Sequence, residues 1–333
     1  LLSQGFSLYK KEQILENWGV RTAAQNEATF KQLLDVIGDL PIAAVTKAVV
    51  RDYKQILLSY PANRYKGKRK NKTLEQLLEE GCVSISLETV RNIMGRVSSF
   101  FNWLVKQGYR EDNPFSGVAP RRVHSARSER SPFTDDDLKL LFGTALYKDK
   151  VYAHEWQYWL PLLGLYTGAR LEELCQLKVH DFKITDGCHY IDIHGEGDTQ
   201  NRVKTPSSVR KIPVHSELIK LGVLCLLNER PRASFLFDLR RINTNLGHMP
   251  SKWFGGYKAS LGLPKGAKVF HSFRHTLRDK LTLNGVPNEH IRELLGHEQI
   301  GETFGRYGSS IPVKVLAESL EKLHFPLDIG NGL

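Results

Sequence analysis

The chain has 333 residues, 41% of them hydrophobic and 25% charged, the balance of a globular protein with material for roughly two domains. Its formal net charge of +11 points to an acidic partner, most often nucleic acid, and leaves open the plainer reading of a merely basic enzyme. No apolar run reaches the length of a membrane span and no secretory signal opens the chain. Cys82, Cys175, Cys188 and Cys225 form no C-x-x-C pair, which argues against a disulfide framework or a zinc site and for reduced thiols in the cytoplasm. Because the chain opens on Leu1 rather than methionine, a preceding segment is expected.

From Phe6 to about Val118 the apolar spacing is helical. Phe30, Leu33, Leu34 and Ile37 fall on one face before Gly38 stops the helix, and Thr46 suits the N-cap of a helix carrying Val49, Val50, Tyr53, Ile56 and Leu57. After Tyr60 the chain crowds Arg64, Lys66, Lys68, Arg69, Lys70 and Lys72 together without an apolar partner. Two readings stand side by side: a solvated loop, or a loop that contacts phosphates. A helix from Ser86 to Tyr109 carries Val90, Ile93, Met94, Val97, Phe100, Phe101, Trp103 and Leu104, a face wide enough for a bundle core, so its aromatics are expected to pack rather than stack on bases. Residues 1–117 are therefore expected to form a helical domain with a basic exterior. Residues 118–132, with Arg121, Arg122, Arg127 and Arg130, read as a basic linker crossing a polyanion.

Residues 133–333 are expected to form the second domain. Thr134 before three aspartates is a helix start, and Trp156 to Tyr166 is apolar enough to be buried. That run ends at Thr167-Gly168-Ala169-Arg170, which places Arg170 at the N-terminus of LEELCQL, with Leu171, Leu174 and Leu177 facing the core. The helix dipole disfavours a cation there, so an anion is needed: Glu173, a bound phosphate, or both. His189–Gly195 and Val209–His215 read as antiparallel strands joined by a polar stretch with Lys204 near its tip. Leu218–Leu227 reads as one helix. Around His271 a helix sets Phe273, Leu277 and Leu281 on one side and His271, Arg274 and Arg278 on another. NEHIRELLG packs Ile291, Leu294 and Leu295 and stops at Gly296, so that His297 falls in a loop. Tyr307 follows in a glycine-broken tail, and VKVLAESLEKLHF places Val315, Leu316, Leu320 and Leu323 on one face.

Five ordered motifs, TGARLEEL, KTPSSVRKIPV, HSFRH, LLGHE and RYG, resemble the boxes of the tyrosine recombinase (phage integrase) family. IGDLPI and FFNWLVKQGYREDNPF resemble its core-binding domain, so the likeness runs over nearly the whole chain. One departure is that the stretch from His297 to Tyr307, with Gly301 and Gly305, is slightly longer than is commonest. The resemblance implies a mainly α fold: an N-terminal helical, SAM-like core-binding domain, then a mixed α+β catalytic domain of the DNA breaking-rejoining type with a small antiparallel sheet. It implies Arg170, Lys204, His271, Arg274, His297 and Tyr307 as the catalytic set, with Glu173 in support. Arg64, Lys66, Lys68, Arg69, Lys70, Arg121 and Arg122 are the candidate DNA contacts. The implied partner is double-stranded DNA with specific recombination sites, cut and rejoined by a homotetramer through a Holliday junction, with accessory DNA-bending proteins, on behalf of a prophage or mobile element. The setting would be the cytoplasm and nucleoid of a bacterium. The tail helix either docks on a neighbouring protomer or folds back on its own domain.

The chemistry asks for these residue types. A phenol attacking a phosphodiester puts extra negative charge on the non-bridging oxygens, which paired guanidiniums clamp; by analogy with oxyanion donors each is worth roughly 3 kcal/mol. A tyrosine is only about 0.1% ionised at neutral pH, so a base is needed, for which His271 is the candidate, with His297 as a hydrogen-bond donor. The leaving 5′-oxygen needs an acid, for which Lys204 is the candidate. Neither a metal nor ATP is required: the cationic side chains supply the charge, and the phosphotyrosine ester conserves the bond energy. Two other readings use the same residues, a type IB topoisomerase-like relaxing enzyme and a non-catalytic DNA-binding protein.

Overall fold

Amphipathic helices must bury their apolar stripes against one another, and the chain does so around two separate cores. The computed structural model describes residues 1–121, 131–195, 208–228, 230–242, 245–264, 266–297 and 310–329. Chain contacts divide it into two compact units, Leu1–Ser125 and Ala126–Leu333.

In the first unit α1 (Leu2–Glu16), α2 (Val20–Ile37), α3 (Lys47–Leu58) and α4 (Leu74–Glu79) are followed by the long α5 (Leu87–Lys106). The apolar face of α5 meets Phe30, Leu33, Val50, Tyr53 and Leu57 in one core. Phe6 stacks on Phe30 with ring centroids 3.9 Å apart, and Phe100 meets Phe30 edge-on at 5.6 Å, so the aromatics of this helix are packing groups. The Thr46 hydroxyl accepts the Val49 N–H and starts α3, and Gly38, at φ 76°, ends α2. The basic stretch is partly wound into a 3-10 turn over Gly67–Asn71. Arg64 donates to the Arg69 carbonyl at 2.9 Å and Arg69 to the Ala62 carbonyl, so these two guanidiniums fasten the loop. Lys66, Lys68 and Lys70 stand exposed around them.

The second unit begins with α6 (Asp135–Phe142), α7 (Ala145–Lys148), α8 (Glu155–Thr167) and α9 (Leu171–Cys175). Thr134 caps α6, reciprocated by Asp137. Every residue of α8 from Trp156 to Thr167 is buried. Pro161 has no N–H to offer Gln157, and the Tyr147 hydroxyl donates to that carbonyl instead, at 3.3 Å.

The sheet has three strands in the order β1-β2-β3: β1 (Phe182–Thr185), β2 (Cys188–Ile193) and β3 (Arg210–Pro213). Both pairings are antiparallel, with Ile191 opposite Phe182 on one side and Ile212 on the other. β1 was not anticipated, because Lys183 and Ile184 are both exposed and the strand lacks alternation. The helix expected over Leu218–Leu227 is two, α10 (Ser216–Lys220) and α11 (Val223–Asn228), because Gly222 takes φ 96°, outside helical space.

α12 (His248–Ser260), α13 (Ser272–Leu283) and α14 (Asn288–Leu295) complete the layer around α8. A Cβ at Gly164 would lie 2.8 Å from Phe270 Cζ, so glycine is what lets α8 press against the start of α13. The last described helix, α15 (Val313–Leu320), lies on its own unit against β3 and α14. There Glu321 accepts from the Ser216 N–H and hydroxyl at 2.7 and 2.6 Å, and His290 Nδ1 meets the Ser319 hydroxyl at 2.7 Å. Its buried face is Val313, Leu316, Leu320 and Leu323. Val315, expected in that face, is 36% exposed, because the spacing of three and four residues from Leu316 and Leu320 selects 313 rather than 315.

Candidate active site

Arg170 is held by what surrounds it in sequence. α8 ends at Gly168, φ 61°, and Arg170 is the N-cap of α9. Glu173, one turn on, takes the Arg170 backbone N–H on Oε2 at 2.8 Å and its guanidinium on Oε1 at 2.6 Å. The compensating anion expected for Arg170 is therefore present in the chain. The same Oε2 accepts Arg210 Nη2 at 2.8 Å. Arg210 also donates from Nε to the Leu294 carbonyl at 2.9 Å and from Nη1 to the Ser208 carbonyl at 2.7 Å, and so ties β3, α9 and α14 together.

Arg274, on the first turn of α13, reaches the ends of two other helices. Its Nη1 donates to the Gly168 carbonyl at 3.0 Å and its Nη2 to the Leu295 carbonyl. Both carbonyls sit at helix C-termini, where unsatisfied acceptors and the negative end of the dipole favour a cation. One buried guanidinium thus fixes the turn that presents Arg170 and the turn that presents His297. A guanidinium has five N–H groups, more than these two bonds use.

The charges do not balance. Arg274 and Arg210 are 5% and 4% exposed, and among the described residues the single carboxylate beside them is Glu173, 7% exposed. Burial alone would raise the Glu173 pKa, but Arg210 and then Arg170 hold it below the ordinary carboxylate value. Burial, Arg210 and Arg170 push the Arg274 pKa down to about 9, which leaves it charged at neutral pH. Among the described residues, three guanidiniums thus face one carboxylate, an excess of positive charge.

His297 follows α14, which stops at Gly296 with φ 62°, and its N–H bonds to the Arg292 carbonyl at 3.0 Å. The residue is exposed. Partial burial, then the charges of Arg274 and Arg170, push its pKa down to about 4, so at pH 7 it is a neutral imidazole that still carries one N–H donor. In a titration followed by NMR, the His297 ring is expected to protonate near pH 4 in the free protein and at higher pH with a DNA duplex bound, because a phosphate offsets the arginine charge. An unchanged midpoint would place the phosphate elsewhere.

The structure thus brings Arg170, Glu173, Arg274 and His297 together. His271 is the N-cap of α13 rather than a residue of its first turn, with its ring perpendicular to that of His275, centroids 5.2 Å apart. Arg278 pairs with its neighbour Asp279 at the surface. Lys204, Tyr307 and Arg122 lie outside the described residues. Arg121 is exposed, and Arg64, Lys66, Lys68, Arg69 and Lys70 belong to the first unit. Arg210 was missed, although its register signals it: it shares the inward face of β3 with Ile212, where an arginine needs a buried acceptor. The cluster offers donors rather than metal ligands. The one group of three metal-binding side chains among the described residues is His180, Asp181 and His194.

Residues 133–311, more than half of the chain, match the family model described as the phage integrase family. The chain belongs to the phage integrase family. Among curated relatives of this integrase-family chain, a XerC-like tyrosine recombinase of Caldanaerobacter subterraneus subsp. tengcongensis is 28% identical over 271 residues, 71% of this chain and 65% of that protein. The tyrosine recombinase XerC of Thermodesulfovibrio yellowstonii is 25% identical over 72% of this chain and 76% of its own length. XerD of Rhizobium meliloti is 26% identical over 70% and 73%. The chain spans about two thirds to three quarters of these relatives. Among solved structures, the Tn1549 transposon integrase in complex with transposon right end DNA superposes with a TM-score of 0.64 at 18% identity, covering 97% of this chain and 99% of that one. A lambda integrase tetramer bound to a Holliday junction gives 0.59 at 18%, covering 90% and 78%. The integrase fold, mainly helical with a small antiparallel sheet, is that expected from the motifs. No helix among the described residues is long and apolar enough to cross a membrane.

Proposed function

We propose that this member of the phage integrase family is a site-specific DNA recombinase that cuts and rejoins strands through a 3′-phosphotyrosyl intermediate. The observation that carries the reading is the cluster of Arg170, Arg210 and Arg274 around Glu173, which among the described residues carries an excess of positive charge, with His297 close enough to feel Arg274 and Arg170. A DNA phosphate is the anion that fits it, and the extra charge of the transition state makes it fit better.

In this reading Arg170 and Arg274 hold the non-bridging oxygens and His297 donates to one of them. His271 takes the proton of the Tyr307 hydroxyl as its oxygen attacks phosphorus. The 5′-oxygen leaves with a proton from Lys204, and the 3′-phosphate stays on Tyr307. A 5′-hydroxyl of the partner duplex reverses these steps, so the number of phosphodiester bonds is conserved. Glu173 and Arg210 position Arg170. No metal or nucleotide enters the scheme.

Residues 1–117 serve in this reading as the core-binding domain, 118–132 as the linker and 133–333 as the catalytic domain. Lys66, Lys68, Lys70, Arg121 and Arg122 contact the DNA backbone, and Arg64 and Arg69 chiefly shape the loop that presents the lysines. The lambda integrase neighbour, a tetramer on a Holliday junction, supports four protomers in the synapse, and bacterial relatives support action on DNA in the bacterial cytoplasm and nucleoid. Accessory DNA-bending proteins and a prophage or mobile-element setting complete the proposal.

Incubating the full chain with a nicked suicide duplex taken from the junction of the element that encodes it tests this. A denaturant-resistant adduct is expected, mapping to Tyr307 by peptide analysis and absent in Tyr307→Phe. An adduct on another residue, or none on the sequenced junction, overturns the assignment, and relaxation of supercoils by a monomer without paired sites would favour a topoisomerase.

A further inference from the structure

A second group of reactive side chains stands apart from the arginine cluster, where the 3-10 turn Val179–Asp181 meets the end of β2. Asp181 is 2% exposed. Its Oδ2 accepts the Lys178 N–H at 2.8 Å and closes the turn. Its Oδ1 faces two imidazoles, His194 Nε2 at 2.9 Å and His180 Nε2 at 3.4 Å. All three ligand atoms lie within 4.8 Å of one another.

The proton positions are what make this arrangement unusual. His180 Nδ1 lies 3.1 Å from the Arg232 carbonyl oxygen, which also accepts the His180 backbone N–H at 3.0 Å. A carbonyl oxygen can only accept, so Nδ1 carries the proton, and in the neutral ring Nε2 is then left with a lone pair 3.4 Å from a carboxylate oxygen. Two lone pairs at that separation repel unless a positive charge lies with them. A second imidazole nitrogen approaches the same oxygen. A carbonyl on the far nitrogen is the usual outer support of a metal-bound histidine, and the Lys178 amide gives the carboxylate the same support.

We propose that His180, Asp181 and His194 form a binding site for a divalent transition metal of the zinc type, with solvent in the fourth position. Ligands about 2.0–2.1 Å from a tetrahedral ion stand roughly 3.3–3.4 Å from one another; the 3.4 Å separation of His180 from Asp181 Oδ1 matches that value, and the 2.9 Å of His194 would open slightly as its hydrogen bond gives way to the ion. Two nitrogens and one oxygen suit zinc, whereas magnesium prefers oxygen ligands and octahedral geometry. On binding, His180 gives its Nε2 lone pair, Asp181 gives Oδ1, and His194 moves its remaining proton to Nδ1 to free Nε2. The ion would pin the exit of β2 to the turn that follows α9, a structural role outside strand transfer.

The test uses the full chain, free of affinity tag and stripped with EDTA. Titration with Co²⁺ is expected to give one equivalent with the intense visible absorption of a tetrahedral site, displaced by Zn²⁺ and not by Mg²⁺, and Zn²⁺ should raise the melting temperature. His180→Gln and His194→Gln should each bind Co²⁺ at least about tenfold more weakly, and should melt like the parent in EDTA, which separates lost binding from lost folding. Binding that survives both substitutions, or the absence of a tetrahedral spectrum, overturns the proposal. A doubly protonated His180 ring at neutral pH with no Co²⁺ bound would identify a proton as the positive charge instead. DNA cleavage in EDTA should be retained, so failure here leaves the recombinase reading untouched.

Discussion

Glu173→Ala is expected to lower the stability of the protein by about 3–5 kcal/mol, the cost of leaving buried charges without their partner. The carboxylate takes three donors, the Arg170 amide and the Arg170 and Arg210 guanidiniums. Its removal leaves Arg210 and Arg274, both nearly inaccessible, beside each other and Arg170 with no counter-charge among the described residues. Denaturant midpoints at pH 7 measure the loss. The pH dependence has a definite sign. Because the folded-state pKa of Glu173 is lowered, its stabilisation is present above the unfolded value and fades as pH falls through the folded one. The variant should therefore approach the parent in stability under acid. A loss below about 1 kcal/mol, the scale of an exposed pair, would mean that the arginines relax into solvent.

Arg274→Lys is expected to slow strand cleavage by about 10²–10³-fold while changing DNA binding little, since most affinity comes from backbone contacts elsewhere. The charge is retained, so charge is not what is lost. A lysine ammonium is a point donor on a flexible stem and cannot hold the Gly168 and Leu295 carbonyls while also offering an oriented pair of N–H groups to a phosphate. Single-turnover cleavage of the suicide duplex reads the rate, and a filter-binding or anisotropy titration at fixed salt reads the affinity. Equal losses in both would show that Arg274 acts mainly in binding. A normal rate would remove it from the reacting phosphate.

Strong periodicity made much of the fold legible. α5 and α14 follow from apolar spacing, with Ser86 opening one and Gly296 closing the other, while α8 was legible as a buried apolar run ending at Thr167-Gly168. What escaped had physical reasons. β1 exposes adjacent residues and shows no alternation, and the break at Gly222 depends on a backbone angle that composition does not report. Val313 rather than Val315 is buried because 313, 316 and 320 share a face at spacings of three and four, whereas 315 is adjacent to Leu316 and points elsewhere. At the site, Arg170, Glu173, Arg274 and His297 were found by motif, but the reason for their arrangement is tertiary. The charge excess requires Arg210, a strand residue that reads as ordinary until its acceptors on α9 and α14 are seen.

The position of α15 bears on how the protein is made. The first unit closes its core within its own residues, so it can fold while the rest is still being synthesised. The second cannot, because Leu316, Leu320 and Leu323 fill the core beneath β3 and α14, the elements that supply Arg210 and the Leu294 and Leu295 carbonyls. On the ribosome the chain would hold a folded first unit long before its arginine cluster exists, and that cluster would form only after residue 323 has emerged. A nascent chain stalled before α15 would have its first unit without its arginine cluster.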